Sequence, residues 1–212
     1  MLRHVISGTW RFTLVSLGGF SLWAFGGRWF YRNLGEAGLY AVTAVAFVGL
    51  ALLLLPALVE GPRRQARLAR SFAPAFLAYA LVWCLMWFAV GGRVGEWLGA
   101  LLGCTAFVFF LGQGLNAGRI HLVPTGVFFI LHTAGYFAGG WLMGWILELR
   151  ETVPAADPGT HLLGPLAKLA WGLAYGAGFG SGLGYLFHVL RNQPRVDTAA
   201  RPEADSNPAG KV

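Results

Sequence analysis

The sequence predicts an all-α integral membrane protein, a bundle of about six transmembrane helices whose last helix is glycine-rich and closely packed. Three observations predict this fold class. The chain of 212 residues is 56% hydrophobic and 12% charged, whereas soluble domains are about 25% charged. Its apolar residues fall in long runs that short arginine-bearing segments separate, as expected for membrane spans. Glycine recurs every four residues in the last of these runs.

Six apolar runs have a length near the roughly 20 residues that a helix needs to cross about 30 Å of hydrocarbon. They cover residues 9–31, 37–59, 73–92, 95–116, 123–147 and 164–189. The second run carries no charge and has Pro56 near its end. The first run contains Arg11 and two Gly-Gly pairs. We expect it to span the bilayer, with an interfacial or re-entrant segment as the alternative.

Arginine placement predicts the orientation of the bundle. The segment between the second and third runs contains Arg63, Arg64, Arg67 and Arg70, and the positive-inside rule assigns such a segment to the cytoplasm. Six spans then place both termini in the cytoplasm of a bacterial-type inner membrane. We interpret the four arginines as a topology signal. Because three of them share one side of a short helix, contact with anionic lipid headgroups is the alternative.

Residues 1–191 form the predicted six-span domain, and the composition changes after it. Residues 192–212 mix proline, alanine and charge with almost no large apolar side chains, which predicts a disordered cytoplasmic tail. The net charge of +7 would suggest nucleic-acid binding in a soluble protein. Here the arginines flank apolar runs, so we expect the bilayer as the partner and no nucleic acid.

The sixth run contains two rows of glycine at four-residue spacing. Glycine costs a helix roughly 1 kcal/mol relative to alanine, but in a bilayer small residues let helix backbones touch. The rows lie on two flanks of the helix, which predicts a central position in the bundle. Glycines of the fifth run make it the expected neighbour. The predicted helix-packing residues are Gly172, Gly176, Gly180 and Gly184 in the first row, Gly178 and Gly182 in the second, and Gly135 and Gly139 in the fifth run.

Few polar side chains lie inside the runs, and each is a functional candidate because polar groups in a membrane are costly. His132 and Tyr136 share one face of the fifth run. Gln113 and Asn116 lie three residues apart near the cytoplasmic end of the fourth. We predict a small polar intramembrane site from these four residues. The alternative is that they only hydrogen-bond to one another as helix-packing contacts.

Motifs for metal, cofactor or catalytic chemistry are missing from the sequence. Cys84 and Cys104 fall inside predicted spans without a CxxC pair. The histidines do not pair at one depth as a bis-histidine haem would require. Every carboxylate lies in a loop, at a span end, as Glu96 does, or in the tail. No GxSxG nucleophile elbow occurs. We therefore expect no metal, no cofactor and no catalytic residues, which leaves enzymatic activity uncertain and disfavoured.

Two classes of function remain for this polytopic inner-membrane protein. The first is a non-enzymatic structural or assembly subunit that packs through glycine-rich helices, either as a homo-oligomer or against partner membrane proteins. The second is a small channel or permease for a neutral or weakly charged solute, which would use the polar intramembrane site. Substitution of His132 by leucine should separate them, because it would alter flux only in the second class.

Overall fold

The computed structural model describes residues 1–117, 122–154 and 159–191. All regular structure in these ranges is helical. The helices are α1 (Leu2–Ser21), a π-helical turn (Leu22–Gly26), α2 (Gly27–Leu54), a 3₁₀ turn (Pro56–Leu58), α3 (Arg64–Ala89), α4 (Gly92–Gly114), α5 (Leu122–Thr152) and α6 (Thr160–Arg191). The predicted tail, residues 192–212, lies outside the described residues.

Four helical segments are long and apolar enough to cross a membrane, so the chain is a multi-pass membrane protein. They are the continuous run Leu2–Leu54, then Arg64–Ala89, Gly92–Gly114 and Leu122–Thr152. The sixth helix, α6, is not among them, because its many glycines lower its hydropathy. Six spans were predicted; by length and hydropathy the described residues provide these four, with the first two predicted runs merged into one.

The merged run Leu2–Leu54 folds back on itself at Gly35. Gly35 has φ 69° and ψ −177° inside an otherwise helical segment, a conformation that glycine adopts without strain. As a result α2 returns along α1, and the Phe20 and Phe47 rings meet at 6.3 Å. Arg11 donates a 2.7 Å hydrogen bond to the carbonyl of Leu54, where α2 ends before Pro56. This charge near the start of the first run is therefore satisfied by a carbonyl at the C-terminus of α2.

Helix α6 lies between α1 and α5 and runs antiparallel to both. Gly184 lies near the start of α1, and Gly172 lies beside Phe20 near its end. Near the N-terminal end of α6, Lys168 donates to the carbonyl of Trp23 in the π-helical turn at 3.3 Å. Its ammonium also lies 4.8 Å from the centre of the Trp23 ring. The Lys168 charge is thus held against the π-helical turn that follows α1.

The remaining hairpin, α3 and α4, closes through Gly91 and Gly92, both with positive φ. Between this hairpin and α6 lies an aromatic core. Phe179 is fully buried there and stacks on Phe12 at 4.3 Å. Rings from α3, α4 and α5 also contact Phe179, namely Phe76, Phe107 and Phe128. Five helices therefore contribute rings to one core.

Candidate functional site

The first glycine row of α6 faces α1 at backbone distance. A Cβ built on Gly180 would lie 2.6 Å from the carbonyl oxygen of Gly8 and 2.9 Å from Cα of Thr9. A Cβ on Gly176 would lie 2.7 Å from Cα of Thr13. Real Cβ atoms do not approach other atoms this closely. Ser16 of α1 completes this contact by donating to the carbonyl of Gly172 at 2.7 Å.

The second glycine row of α6 faces α5. A Cβ on Gly178 would lie 2.8 Å from Cα of Gly135, and one on Gly135 would lie 2.6 Å from the carbonyl oxygen of Ala174. Gly139 is covered by Trp171, and Gly182 by the Phe128 ring. All eight glycines singled out in the sequence therefore lie at contacts within the chain itself.

Two further glycines of α5 lie on a different side of the helix. A Cβ built on Gly140 or on Gly144 would have no neighbour within 4 Å. We call this Gly-xxx-Gly pair the open α5 flank. Its neighbour in sequence, Trp141, is 69% exposed. The open α5 flank is thus a small-residue surface that no part of the described chain covers.

A buried cluster of polar rings lies beside the aromatic core. His132 on α5 has no exposed surface, and its Nε2 lies 2.7 Å from the hydroxyl of Tyr79 on α3. Tyr175 on α6 donates to the Tyr79 hydroxyl at 3.4 Å. We call these residues the His132 cluster. It joins three helices through hydrogen bonds whose partners are all removed from water.

The directions of the hydrogen bonds in the His132 cluster leave Nδ1 of His132 without a partner among the described residues. Because Tyr175 donates to Tyr79, the Tyr79 proton is directed to Nε2 of His132. A neutral imidazole then carries its own proton on Nδ1. Among the described residues neither Nδ1 of His132 nor the hydroxyl of Thr133 has a partner. Nδ1 of His132 is therefore a buried donor without a hydrogen-bond partner among the described residues.

Tyr136 lies between the His132 cluster and the N-terminal end of α4. Its ring stacks against His132 with centroids 6.3 Å apart, and its hydroxyl donates to Oε1 of Glu96 at 3.3 Å. Trp83 and Trp171 flank the Tyr136 ring at 5.9 Å and 5.4 Å. The Glu96 carboxylate is 20% exposed and lies 4.0 Å from Arg93. Three polar side chains therefore lie in a row, from the partly exposed carboxylate of Glu96 through Tyr136 to the buried His132.

The structure separates the four residues of the predicted polar site. Contacts of Phe107 with Phe128 and of Trp97 with Phe137 set the antiparallel register of α4 and α5. In this register Gln113 is level with the start of α5, and its side chain is exposed, as is that of Asn116. His132 and Tyr136 remain neighbours. Their hydrogen-bond partners come from Tyr79 and Glu96 instead.

Sequence reasoning missed Tyr79, Tyr175 and Glu96. The two tyrosines had a usable signal, since a tyrosine inside an apolar run must find a partner for its hydroxyl. Glu96 was placed at a span end, where a carboxylate is ordinarily solvated. The missing information was the neighbour of each helix, because α3 rather than α4 supplies the partner of His132.

Of the four arginines predicted to mark the topology, three are exposed and one, Arg67, contacts the loop before α3. Arg67 donates to the main-chain carbonyl of Glu60 at 2.6 Å. The Glu60 carboxylate in turn pairs with Arg191 at the end of α6. Arg63 and Arg64, at the start of α3, and Arg70, two turns further on, are exposed. The loop before α3 and the C-terminus of α6 therefore meet at one end of the bundle.

No family model, no curated protein and no solved structure matches this chain in comparisons with known proteins. Within the described residues no group of three or more histidine, cysteine, aspartate or glutamate side chains is placed to hold a metal ion.

Proposed function

We propose that the chain is a non-enzymatic structural or assembly subunit of a membrane, which associates through the open α5 flank. The observation that supports this role is the contrast between two pairs of glycines on one helix. The space beside Gly135 and Gly139 is filled by α6, whereas a Cβ built on Gly140 or Gly144 would meet nothing within 4 Å. Leucine would suit lipid and the helix better than glycine does. A helix from a second copy or from a partner protein would use this surface.

The glycine rows of α6 have a different place in this proposal. They bring α1, α5 and α6 together inside the chain, so they are not the surface offered to a partner. We further propose that all six predicted spans cross a bacterial-type inner membrane, with α6 held centrally by these rows, and that both termini are cytoplasmic. The meeting of the arginine-bearing loop and the α6 C-terminus at one end supports this topology.

Association of the purified full chain in mild detergent tests the role of the open α5 flank. The variant Gly140→Leu/Gly144→Leu should lose its oligomer or its stoichiometric partner, measured by light scattering coupled to size-exclusion chromatography. Its unfolding midpoint should not fall, because neither glycine touches the rest of the chain and leucine favours the helix. Gly126→Leu is the matched control, since Gly126 is also an open glycine of α5. Association that survives in both variants would contradict the proposal.

A second candidate function, a small channel or permease for a neutral or weakly charged solute, is favoured by the His132 cluster. Buried polar groups in a membrane commonly mark solute or proton pathways. Part of such a path would be lined by polar groups. These are Nδ1 of His132, which has no partner among the described residues, and the side chains of Glu96 and Tyr136.

Flux into liposomes separates the two candidates. His132→Leu should leave association unchanged under the assembly role and should alter flux under the channel role. Tyr31→Leu, at an exposed tyrosine of α2, controls for nonspecific leakage. Unchanged flux in His132→Leu liposomes would reject the channel or permease.

A further inference from the structure

A cavity of about 250 Å³ opens at the end of the bundle where the α2–α3 loop, the C-terminus of α4 and the C-terminus of α6 meet. Its lining combines apolar side chains, among them Leu58, Phe187 and Leu190, with the polar side chains of Glu60, Arg67 and Arg191. We call it the end cavity. A cavity lined by both apolar and charged side chains, at the end of membrane helices, matches the boundary between acyl chains and headgroups.

The charges of the end cavity are not balanced. Arg191 is neutralised by the carboxylate of Glu60. Arg67 donates to the Glu60 main-chain carbonyl, which is a neutral acceptor, and the described part of the chain gives it no carboxylate partner. One positive charge is therefore left in the cavity. The guanidinium also retains further N–H donors in a fork that suits phosphate oxygens.

We propose that the end cavity binds the headgroup of an anionic phospholipid, with its phosphate on Arg67 and its glycerol and first methylenes against the apolar lining residues. The volume is below the range of about 300–1,000 Å³ typical of drug-sized ligands, so it admits a headgroup while the acyl chains stay in the bilayer. Basic pockets between membrane helices bind anionic headgroups in this way. Lipid binding here does not depend on association through the open α5 flank.

Lipid retention by the purified full chain tests the proposal. The chain is equilibrated with phosphatidylglycerol and phosphatidylcholine in equal amounts, delipidated by a fixed wash, and the retained lipid is counted by native mass spectrometry. The wild-type chain should retain phosphatidylglycerol preferentially. Equal retention of both lipids would overturn the proposal without any variant.

Two variants test whether the lipid binds at Arg67 in the end cavity. Arg67→Gln should lower phosphatidylglycerol retention about fivefold, the equivalent of roughly 1 kcal/mol for one arginine at an anionic surface. Arg64→Gln is the matched control, because it removes the same charge three residues away, outside the cavity wall. It should retain lipid like the wild type. An equal loss in both variants would show diffuse attraction to the loop and would overturn the site.

A charge-conserving variant and a competition with inorganic phosphate test the chemistry of the ligand. Arg67→Lys keeps the charge and should retain most of the phosphatidylglycerol, so a loss equal to that of Arg67→Gln would contradict a charge-based site. Inorganic phosphate, added at a concentration equal to that of the lipid, should not displace phosphatidylglycerol, because it lacks the apolar part. Full displacement would assign the cavity to a free phosphate and would overturn the lipid as its ligand.

Discussion

Helix α6 meets its neighbours in two different ways. Its glycine flanks touch α1 and α5 backbone to backbone, as at Gly180 against Gly8 and Gly178 against Gly135. Its aromatic side, with Tyr175 and Phe179, meets α3 and α5 through large rings and hydroxyls. The difference teaches that close backbone packing holds the glycine sides of α6, whereas ring contacts and hydroxyl hydrogen bonds hold its aromatic side. In lipid, apolar area alone does not drive helices together, so close packing must do so.

The largest expected effect comes from filling a glycine flank. Gly180→Leu should destabilise the folded chain by about 3 kcal/mol or more, because the backbone of α1 would have to move. Gly49→Leu is the control, since a Cβ on Gly49 meets nothing within 4 Å. Unfolding in mixed detergent measures both. Equal stability of the two variants would show that the α1–α6 contact is not tight.

A finer substitution separates contacts with backbone from contacts with a side-chain end. Gly180→Ala should cost about 2 kcal/mol, whereas Gly18→Ala on α1 should cost less. The added methyl at Gly180 meets backbone atoms, but at Gly18 its nearest neighbour is the Cδ1 end of the Leu50 side chain, which can change rotamer. The same unfolding assay ranks them. The reverse order would mean that Leu50 is held more rigidly than the backbone of α1.

On the aromatic side, Tyr79→Phe should destabilise the chain by about 1–2 kcal/mol. It leaves Nε2 of His132 and the Tyr175 hydroxyl buried without their shared partner. Tyr31→Phe, at a tyrosine that is 60% exposed, should have no effect. Unfolding midpoints compare the two variants. A neutral Tyr79→Phe would show that water replaces the lost hydroxyl.

The smallest effect is expected from one of the side-chain hydrogen bonds between α1 and α6, the bond that Ser16 donates. Thr9 and Ser181 form another bond between these helices. Ser16→Ala removes the donor to the Gly172 carbonyl and should cost about 0.6 kcal/mol, the average for such bonds in membranes. Ser21→Ala is the control, because Ser21 bonds only to the carbonyl of Leu17 within α1. A cost above that of Gly180→Ala would reverse the comparison, since polar contact rather than shape would then dominate this flank.

Part of the candidate site could be predicted from the sequence. His132 and Tyr136 are neighbours because they are four residues apart on one helix, which is a local property. Gln113 and Asn116 were joined to them on the assumption that α4 faces the same point of α5. That assumption concerns register between helices, and apolar side chains of similar size allow many registers. Nothing local to α5 indicated Tyr79.

The sequence by itself determined the membrane class, the helical content, the positions of the apolar runs and the spacing of the glycine rows. Each of these follows from hydropathy or from the 100° turn per residue, which act within one segment. The tertiary structure alone decided that α1 covers the first glycine row, that Gly140 and Gly144 stay open, and that Arg67 borders a cavity. These depend on which helices become neighbours, and backbone-to-backbone fit settles that choice between segments far apart in the chain.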